Sequence, residues 1–348
     1  MAKRIGVLLS GCGYLDGAEI HEATLTLYFL DKAGATVINM APDKAQADVM
    51  DHNVSEAAEG SRNVLIESSR IARGKVRDVY DLGDRLLMVA SDRISAFDVV
   101  MPTAILDKGR LLNGLSLFWF DRLDDVVPNH IITTEFDGLD VSADERAWLD
   151  GRAVVVKKAE VLPVECIARG YVIGSGWKDY QASGRVCGIE LPPDLQQAQQ
   201  LPEVLFTPST KAEMGEHDEN INFEQCAEII GLDLANQVRD YSIEIYSKAR
   251  DYAETKGILI ADTKFEFGLI ENDELILIDE VLTPDSSRFW PKGLYEAGRG
   301  QQSYDKQFVR DYLTSVGWDK NPPAPDLPED IAKKTSDKYI EALSLLTA

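Results

Sequence analysis

The feature that most constrains this chain is a strand, turn and strand between residues 257 and 280. Side chains of an extended strand alternate between two faces, so Asp262, Lys264 and Glu266 share one face, and the threonine and phenylalanines between them share the other. The returning strand ends in Asp279 and Glu280 directly after four apolar residues, where a buried carboxylate needs a cation. The pattern predicts a hairpin with one charged face and one apolar face.

The charged face of this hairpin is a candidate nucleotide site. Carboxylates that converge beside a lysine offer hard oxygen ligands for Mg²⁺ and an ammonium group for phosphate oxygens. The alternative is a solvent-exposed face held by ion pairs between neighbouring strands. The pattern alone leaves both interpretations open.

A second candidate phosphate site lies at residues 73–78, which begin another predicted hairpin with strands at 74–80 and 85–90 and a turn at 81–84. A glycine flanked by cations lets backbone amides and Lys75 approach a phosphate group. An ordinary surface turn has the same composition and is the alternative.

Two further polar segments are candidates for substrate binding. In the loop 207–220, His217 with Asp218 suggests a transition metal, but no second histidine stands at ligand spacing, and a loop that grips substrate is the better interpretation. Farther on, Arg288, Lys306 and Arg310 can bind carboxylate or phosphate groups. Lys306 and Arg310, spaced as i and i+4 of a helix, can equally lie on a solvent-exposed surface.

Composition excludes several classes of protein. With 348 residues, 45% of them hydrophobic, the chain is long enough for two compact domains or one large two-lobed domain. The formal charge of −23 disfavours nucleic acids and anionic membranes as partners. No apolar run approaches the roughly 20 residues of a membrane helix, so we expect a cytosolic protein. Four distant cysteines disfavour structural zinc and a disulfide framework.

The two ends of the chain differ in their predicted elements. Residues 4–9, 19–33 and 36–40 predict a β-α-β opening. Its turn carries Gly11 and Gly13, but Gly17 follows one residue too late for a dinucleotide-binding motif. From residue 70 onward paired strands appear, with another strand at 153–158, helices at 224–256 and 329–346, and a long polar connection at 192–222.

Six segments together resemble the SAICAR synthetase family in its longer form. They are RGKVRDVY at 73–80, SDRISAFD at 91–98, VECIARGYVIGSGW at 164–177, TPSTKAEMGEHDEN at 207–220, ADTKFEFG at 261–268 and DEVLTPDSSRFW at 279–290. They stand in the family's order, and the resemblance covers about residues 70–348.

The resemblance implies a two-lobed α+β ligase with a kinase-like or ATP-grasp-like nucleotide site. An ATP-binding lobe is expected at 73–165, and a lobe for substrate and Mg-ATP at 166–348. The implied reaction joins carboxyaminoimidazole ribonucleotide (CAIR) and L-aspartate through an acyl phosphate, giving SAICAR, ADP and phosphate in de novo purine biosynthesis. The implied cofactors are ATP and Mg²⁺, in a cytoplasmic monomer or small homo-oligomer whose partners are these small molecules.

The resemblance also implies roles for particular residues. On the nucleotide side, Glu165 lies near the ribose, and Lys264 contacts phosphate as a catalytic residue. Glu266 and Asp279 ligate Mg²⁺. The residues that cover the phosphates are Gly74, Lys75, Val76 and Arg77. On the substrate side, Arg169 and Ser175 grip the imidazole ribonucleotide, Lys211 and Asp218 belong to a closing loop, and carboxylate or phosphate groups meet Asp285, Arg288, Lys306 and Arg310. Asp285 and Arg288 are also predicted to be catalytic.

Residues 1–72 do not fit this family. They resemble the first third of the ElbB-type amidotransferase-like proteins of the PfpI superfamily, without the later strand-turn-helix that carries the cysteine nucleophile. No amidotransferase activity is therefore expected from this segment. Two alternatives to the ligase remain at this point: an inactive ligase-like scaffold whose N-terminal segment mediates assembly, and a nicotinamide-dependent enzyme that uses Gly11 to Gly17.

Overall fold

The structure is a computed structural model that describes residues 77–348 except 98, 138, 140, 142, 212–218 and 322–323, together with short strands before residue 58. Its backbone divides into two compact units, Met1–Asp78 and Val79–Ala348. Each unit is considered by itself. The predicted boundaries after residues 72 and 165 stay predictions.

The first unit contains two strand pairs. Arg4–Leu8 (β1) and Thr36–Met40 (β2) are parallel, with Arg4 opposite Thr36, and Met50–Asp51 (β3) and Glu56–Ala57 (β4) are antiparallel. A parallel pair needs a crossover connection, which agrees with the predicted β-α-β opening. The predicted helix at 19–33 and the glycine turn lie outside the described residues.

A four-stranded sheet begins the second part of the chain. Its strands, in spatial order, are Arg77–Asp81 (β5), Arg85–Ala90 (β6), Ala153–Lys157 (β10) and Ile131–Thr133 (β9). The turn between β5 and β6 is closed by the amide of Gly83, which donates to Asp81 Oδ1 at 2.8 Å. The predicted hairpin is confirmed from residue 77 onward, and residues 74–76 lie outside the described part.

The second sheet has seven strands and is organised around one long strand, Ile258–Leu269 (β17). Strand β17 pairs antiparallel with four others. The strands that complete this sheet are Glu160–Val161 (β11), Val164–Tyr171 (β12), Gln200–Phe206 (β15), Ser209–Thr210 (β16), Leu275–Ile278 (β18) and Ser287–Pro291 (β19). Glu266 stands opposite Ile278, so the hairpin predicted at 257–280 is confirmed.

The prediction of a polar connection over 192–222 is wrong for its middle part, because β15 and β16 lie there and pair with β12. Leu201, Leu205 and Phe206 are buried in the sheet. Pro202 obscured the strand in the sequence, since a proline cannot donate a ladder hydrogen bond. Pairing with β12 therefore imposes the strand conformation on this segment, against its local sequence preference.

Seven helices lie within the described residues: Lys108–Arg122 (α1), Ala143–Leu149 (α2), Gly174–Ser183 (α3), Phe223–Ile230 (α4), Leu232–Thr255 (α5), Gln307–Ser315 (α6) and Glu329–Thr347 (α7). The helix predicted at 224–256 is divided by Gly231, whose φ of 87° no other residue adopts easily. The helix predicted at 329–346 is confirmed. Two short hairpins join Ser95–Ala96 (β7) to Val99–Val100 (β8), and Arg185–Val186 (β13) to Ile189–Glu190 (β14).

The main core lies between α5 and the apolar face of β17. Phe265 and Phe267 on the strand and Ile245 on the helix are fully buried, and each such side chain contributes about 1.5–3 kcal/mol by leaving water. The Tyr246 hydroxyl donates to the carbonyl of Ile260 at 2.6 Å. The core thus fixes β17 from behind, so the opposite face of the strand is held in place. Among the described residues, no helix is both long and apolar enough to span a membrane.

Candidate active site

The charged face of β17 is the centre of the candidate site. Asp262 is buried, Lys264 and Glu266 are half-buried, and the three residues that alternate with them are buried in the core. The predicted alternation is therefore confirmed. Each of the three charged side chains meets partners from other strands or loops, and Lys264 is the most exposed of the three.

Asp262 holds two arginines at the buried end of the face. Arg169, directly opposite it on β12, approaches Asp262 Oδ2 with Nη1 at 2.5 Å, and Arg288 Nη1 contacts the same oxygen. Asp262 raises the pKa of Arg288, whereas burial lowers that of Arg169 against the pull of Asp262. Arginine nevertheless stays charged in proteins. The cluster therefore holds two positive charges and one negative charge, which suits an anionic ligand.

The rest of Arg169 is fixed by hydroxyl groups. Its Nε donates to Thr207 Oγ1 and its Nη2 to Ser175 Oγ, both at 2.9 Å. Ser175 lies in the first turn of α3, directly after Gly174. Gly174 has a φ of +62°, and a Cβ there would lie 2.5 Å from Arg288 Nη2. The glycine thus makes room for Arg288 beside Ser175, and the predicted trio of Arg169, Ser175 and Arg288 is brought together.

Lys264 and Glu165 form the next pair along the face. Lys264 Nζ lies 2.6 Å from Glu165 Oε1, and the lysine side chain is 40% exposed while that of Glu165 is 8% exposed. Ser209 Oγ donates to the second carboxylate oxygen at 3.4 Å. The ammonium group is therefore held by a buried carboxylate, while the lysine side chain as a whole is partly exposed, so that a phosphate can approach it.

Glu266 is the most open of the three acids near this face. Its Oε2 lies 2.6 Å from Lys211 Nζ, and Asp279 follows Ile278, the residue opposite Glu266. Asp279 has a φ of 62°, a left-handed conformation that aspartate tolerates better than most residues. Among the described residues no three metal-binding groups come together. Two carboxylates suit Mg²⁺ nevertheless, because this ion takes one or two carboxylates and completes its shell with water and phosphate oxygens.

A second buried acid, Asp285, lies at the centre of another cluster. Its Oδ2 lies 2.8 Å from Lys108 Nζ and 3.1 Å from Lys306 Nζ, and the Tyr339 hydroxyl donates to Oδ1 at 2.8 Å. Burial opposes ionisation of Asp285, but the two lysines and the hydrogen bonds outweigh it and lower the pKa of this carboxyl. Asp285 is thus ionised at neutral pH and bridges α1, α6 and α7.

Lys306 and Arg310 lie at the start of α6, as predicted. Lys306 precedes the helix, and its carbonyl accepts from the Arg310 amide at 3.0 Å. The buried Asp305 accepts from the amide of Gln307 at 2.6 Å. Burial raises the pKa of Asp305, and the charges of Arg288 and Arg310 act in the opposite direction. The surface-decoration alternative does not hold for Lys306, whose side chain is 12% exposed.

Sequence reasoning missed Lys108 as a site residue. It placed Asp262 on the charged face and Thr207 in the substrate loop, but it did not identify either as a partner of Arg169. For Lys108 a signal existed, because it lies on the apolar stripe of α1 with Leu112, Leu115 and Trp119. A lysine on a buried stripe needs a carboxylate partner. Asp218, Gly74, Lys75 and Val76 lie outside the described residues, and Arg77 is described only as the first residue of β5. All the predicted roles stay predictions.

The described cysteines are in surroundings that disfavour the thiolate form. Cys166 and Cys226 are buried and Cys187 is half-buried. Burial raises the pKa of the Cys187 thiol to about 11, and a thiol is a weak nucleophile until it is deprotonated. Cys12 lies outside the described residues. These environments are those of inert structural cysteines.

Comparison with known proteins decides the family. Residues 70–325 match the model of the SAICAR synthetase family, and a phosphoribosylaminoimidazole-succinocarboxamide synthase from Geobacter sulfurreducens is 60% identical over 276 residues, which cover 79% of this chain and 93% of that protein. The chain belongs to the SAICAR synthetase family. The family and the enzyme class predicted from the sequence, a ligase of purine biosynthesis, are thereby confirmed.

Solved SAICAR synthetase structures have the same fold. The SAICAR synthase of Saccharomyces cerevisiae, complexed with SAICAR, is 46% identical with a TM-score of 0.72, over 79% of this chain and 93% of that one. A SAICAR synthetase (Type-2) in complex with ADP is 25% identical with a TM-score of 0.58, over 79% and 96% of the two chains. The predicted α+β class is confirmed. The resemblance of residues 1–72 to ElbB-type proteins stays a prediction.

Proposed function

We propose that this chain joins L-aspartate to CAIR at the expense of ATP, giving SAICAR, ADP and phosphate. The observation that carries the proposal is the charged face of β17, where a buried cationic cluster, a partly exposed lysine and a half-buried carboxylate follow one another. An enzyme that phosphorylates a carboxylate needs these three elements side by side. The relatives' printed names and the complexes with SAICAR and ADP support the same assignment.

The nucleotide side of the site is assigned to Lys264, Glu165, Glu266 and Asp279. Lys264 Nζ meets phosphate oxygens, and its contact with Glu165 keeps the ammonium aimed along the face. Glu266 and Asp279 hold Mg²⁺, which supplies charge neutralisation at the phosphates when bound. Gly74, Lys75, Val76 and Arg77 cover the phosphates in this proposal, as the family motif implies.

The substrate side is assigned to the arginines at the other end of the face. Arg169 and Arg288, fixed by Asp262, take carboxylate or phosphate groups of CAIR, with Ser175 donating a hydrogen bond. Lys306 and Arg310 bind a further anionic group, and Lys211 and Asp218 belong to a loop that closes over both ligands. Arginine suits this task because its planar group binds two oxygens at once.

The chemistry proceeds in two displacements. A carboxylate oxygen of CAIR attacks the γ-phosphorus of ATP, the bond to the β-γ bridging oxygen breaks, and ADP leaves. The aspartate amine then attacks the acyl carbon, the bond to the phosphate oxygen breaks, phosphate leaves, and the amine loses a proton. Fixed cations such as Lys264 lower both barriers, because groups arranged beforehand stabilise developing charge without reorganising.

The test is release of ADP by the purified full-length chain with Mg²⁺, ATP, CAIR and L-aspartate, with each substrate omitted in turn. We expect turnover that requires all three. Turnover without L-aspartate would instead indicate a simple ATPase. An inactive but folded chain that gains activity when trimmed to start near Ser61 would show that the N-terminal segment blocks the site.

Two further assignments accompany this proposal. The activity is placed in the cytoplasm, as predicted from the sequence. The chain acts as a monomer or small homo-oligomer, which a concentration series of mass measurements on the full chain and on the trimmed chain would test. The inactive scaffold, by contrast, predicts a folded chain that shows no turnover in either form.

A further inference from the structure

Lys108 is a buried cation with no role in the site described so far. It is the first residue of α1, and its side chain is 0% exposed. Its Nζ lies 2.8 Å from Asp285 Oδ2, and the same oxygen lies 3.1 Å from Lys306 Nζ. One carboxylate oxygen of Asp285 therefore contacts two ammonium groups. That of Lys108 is enclosed by the protein, and that of Lys306 is partly exposed.

The two lysines differ in what else they can reach. Lys108 is enclosed, whereas the Lys306 side chain is 12% exposed and lies in the stretch that leads to Arg310. The other oxygen of Asp285 accepts the Tyr339 hydroxyl, so both oxygens of the carboxylate have partners. Of the two lysines, Lys306 is the one whose side chain a ligand can reach.

The direct contacts of Asp285 do not cancel in charge. Two ammonium groups, those of Lys108 and Lys306, meet one carboxylate, so these three groups together carry one positive charge in excess. Burial lowers the pKa of Lys108, and the charge of Asp285 acts in the opposite direction. Glu280, whose carboxylate accepts from Thr283 Oγ1 at 3.0 Å, and the buried Asp305 add negative charge nearby. Without Lys108, Asp285 would pair with Lys306 alone, and the ammonium that faces the site would be neutralised.

The position of Lys108 is fixed by the packing of its neighbour. A Cβ on Gly109 would lie 2.1 Å from the carbonyl oxygen of Ala90, and the Gly109 amide donates to Asp92 Oδ1 at 2.9 Å. The first turn of α1 thus packs against the end of β6 in one position, and this position determines where the Lys108 side chain enters the cluster.

We propose that Lys108 is a positioning residue that occupies Asp285 from inside the protein, so that Lys306 keeps its positive charge for an anionic group of a substrate. The inference rests on the proposed function and adds a residue that never touches the ligand. It accounts for a fully buried lysine, which is otherwise costly. It also explains why one aspartate is shared by cations from two distant helices.

The test compares the wild type with three variants by steady-state kinetics, with CAIR, L-aspartate and ATP varied in turn. Lys108→Met removes the inner charge and keeps the shape. We expect the KM of one of the two non-nucleotide substrates to rise about tenfold, which corresponds to about 1.4 kcal/mol, while its kcat and the KM for ATP stay within about twofold. Lys248→Met, which removes a lysine paired with Asp125 at the surface, is the matched control and should leave all constants unchanged.

The double variant Lys108→Met with Asp285→Asn restores the charge count, because Lys306 then provides the single excess positive charge. We expect it to recover most of the lost affinity, measured as KM; its kcat is not used, because Asp285 is itself predicted to be catalytic. A single variant with unchanged KM values, a loss confined to kcat in the single variant, or a double variant whose KM is higher than that of the single one would each overturn the proposal. If the single variant fails to fold, the double variant alone decides, since it keeps the wild-type excess.

Failure of the proposed function is distinguishable from failure of this inference. Calorimetric titration of the full-length chain with CAIR and with L-aspartate compares the same variants without turnover. A wild-type chain that binds these compounds but turns nothing over contradicts the proposed reaction and still allows the Lys108 comparison. Binding of both compounds that is equal in wild type and Lys108→Met contradicts the inference alone.

Discussion

Two kinds of carboxylate lie around β17, and they differ in what holds them. Asp262 and Asp285 are buried and each contacts two cations, whereas Glu266 and Glu165 each meet a lysine whose side chain is more than a third exposed. Breaking a buried ion pair costs about 3–5 kcal/mol, while an exposed pair contributes about 0–1 kcal/mol. The buried clusters of Asp262 and Asp285 therefore hold the site's framework together. The pairs of Glu266 with Lys211 and of Glu165 with Lys264 can rearrange when ligands bind.

The largest effect is expected from Arg169→Met. The substitution leaves Thr207 and Ser175 without their donor and removes one of the two cations that contact the buried Asp262, so we expect a loss of about 3–5 kcal/mol in the free energy of unfolding and no measurable turnover. Urea unfolding monitored by tryptophan fluorescence gives the first value. Arg239→Met, which breaks an exposed contact with Asp240, is the control and should change stability by less than about 1 kcal/mol. Equal losses of unfolding free energy in Arg169→Met and Arg239→Met would contradict the distinction between buried and exposed carboxylates.

Lys264→Ala and Asp279→Asn test the open part of the face. Each should reduce kcat at least about a hundredfold, as loss of a group that stabilises developing charge does, while the melting temperature stays close to that of the wild type. Asparagine tolerates the left-handed φ of Asp279, so that variant keeps its backbone. Wild-type activity in either variant would overturn the assignment of the nucleotide side.

Glu266→Gln should act through the metal. Loss of one carboxylate ligand weakens Mg²⁺ binding, and we expect the Mg²⁺ concentration for half-maximal activity to rise about tenfold, as the loss of roughly 1.4 kcal/mol would give. Saturating Mg²⁺ should restore most of the activity. Glu271→Gln, in the exposed turn between β17 and β18, provides the control. A fall in kcat that no Mg²⁺ concentration repairs would mean that Glu266 has another task.

The smallest effect concerns acid stability. The pKa of Asp285 is lowered in the folded protein, so its contribution to stability is present above the ordinary aspartate pKa and is lost as the pH falls through the lowered value. Lys108→Met removes one cause of this lowering, and the acid unfolding midpoint should rise by a fraction of a pH unit. Lys333→Met, whose lysine pairs with Asp337 at the surface, should leave the midpoint in place. Circular dichroism during an acid titration measures both.

The same comparison explains what the sequence could predict. Alternation along one strand predicted the charged face of β17 and the carboxylates beside Lys264, because these depend on neighbours in the chain. The partners of Asp262 come from Arg169 and Arg288 on two other strands, and no local pattern indicates which strands pair. The family resemblance named both arginines but not the acid that binds them.

Other differences have local causes. The strand Gln200–Phe206 was missed because Pro202 and the surrounding polar residues indicate a loop, whereas pairing with β12 imposes a strand. The break at Gly231 was missed because the apolar pattern continues on both sides of it. Lys108 was overlooked because a lone lysine at a helix start usually lies in solvent. Its place on the apolar stripe of α1 indicated burial, but its partner Asp285 follows only from the packing of α1, α6 and α7.

The close packing of α1 against β6 also matters for the design of thermostable variants. Replacing a glycine within a helix by alanine commonly adds about 0.5–1 kcal/mol of stability, and α1 offers Gly109 and Gly114 for that exchange. At Gly114 nothing lies within 4 Å of the added methyl group, but at Gly109 the methyl would collide with the Ala90 carbonyl. Glycine to alanine should therefore stabilise the protein at Gly114 and destabilise it at Gly109, five residues away on the same helix.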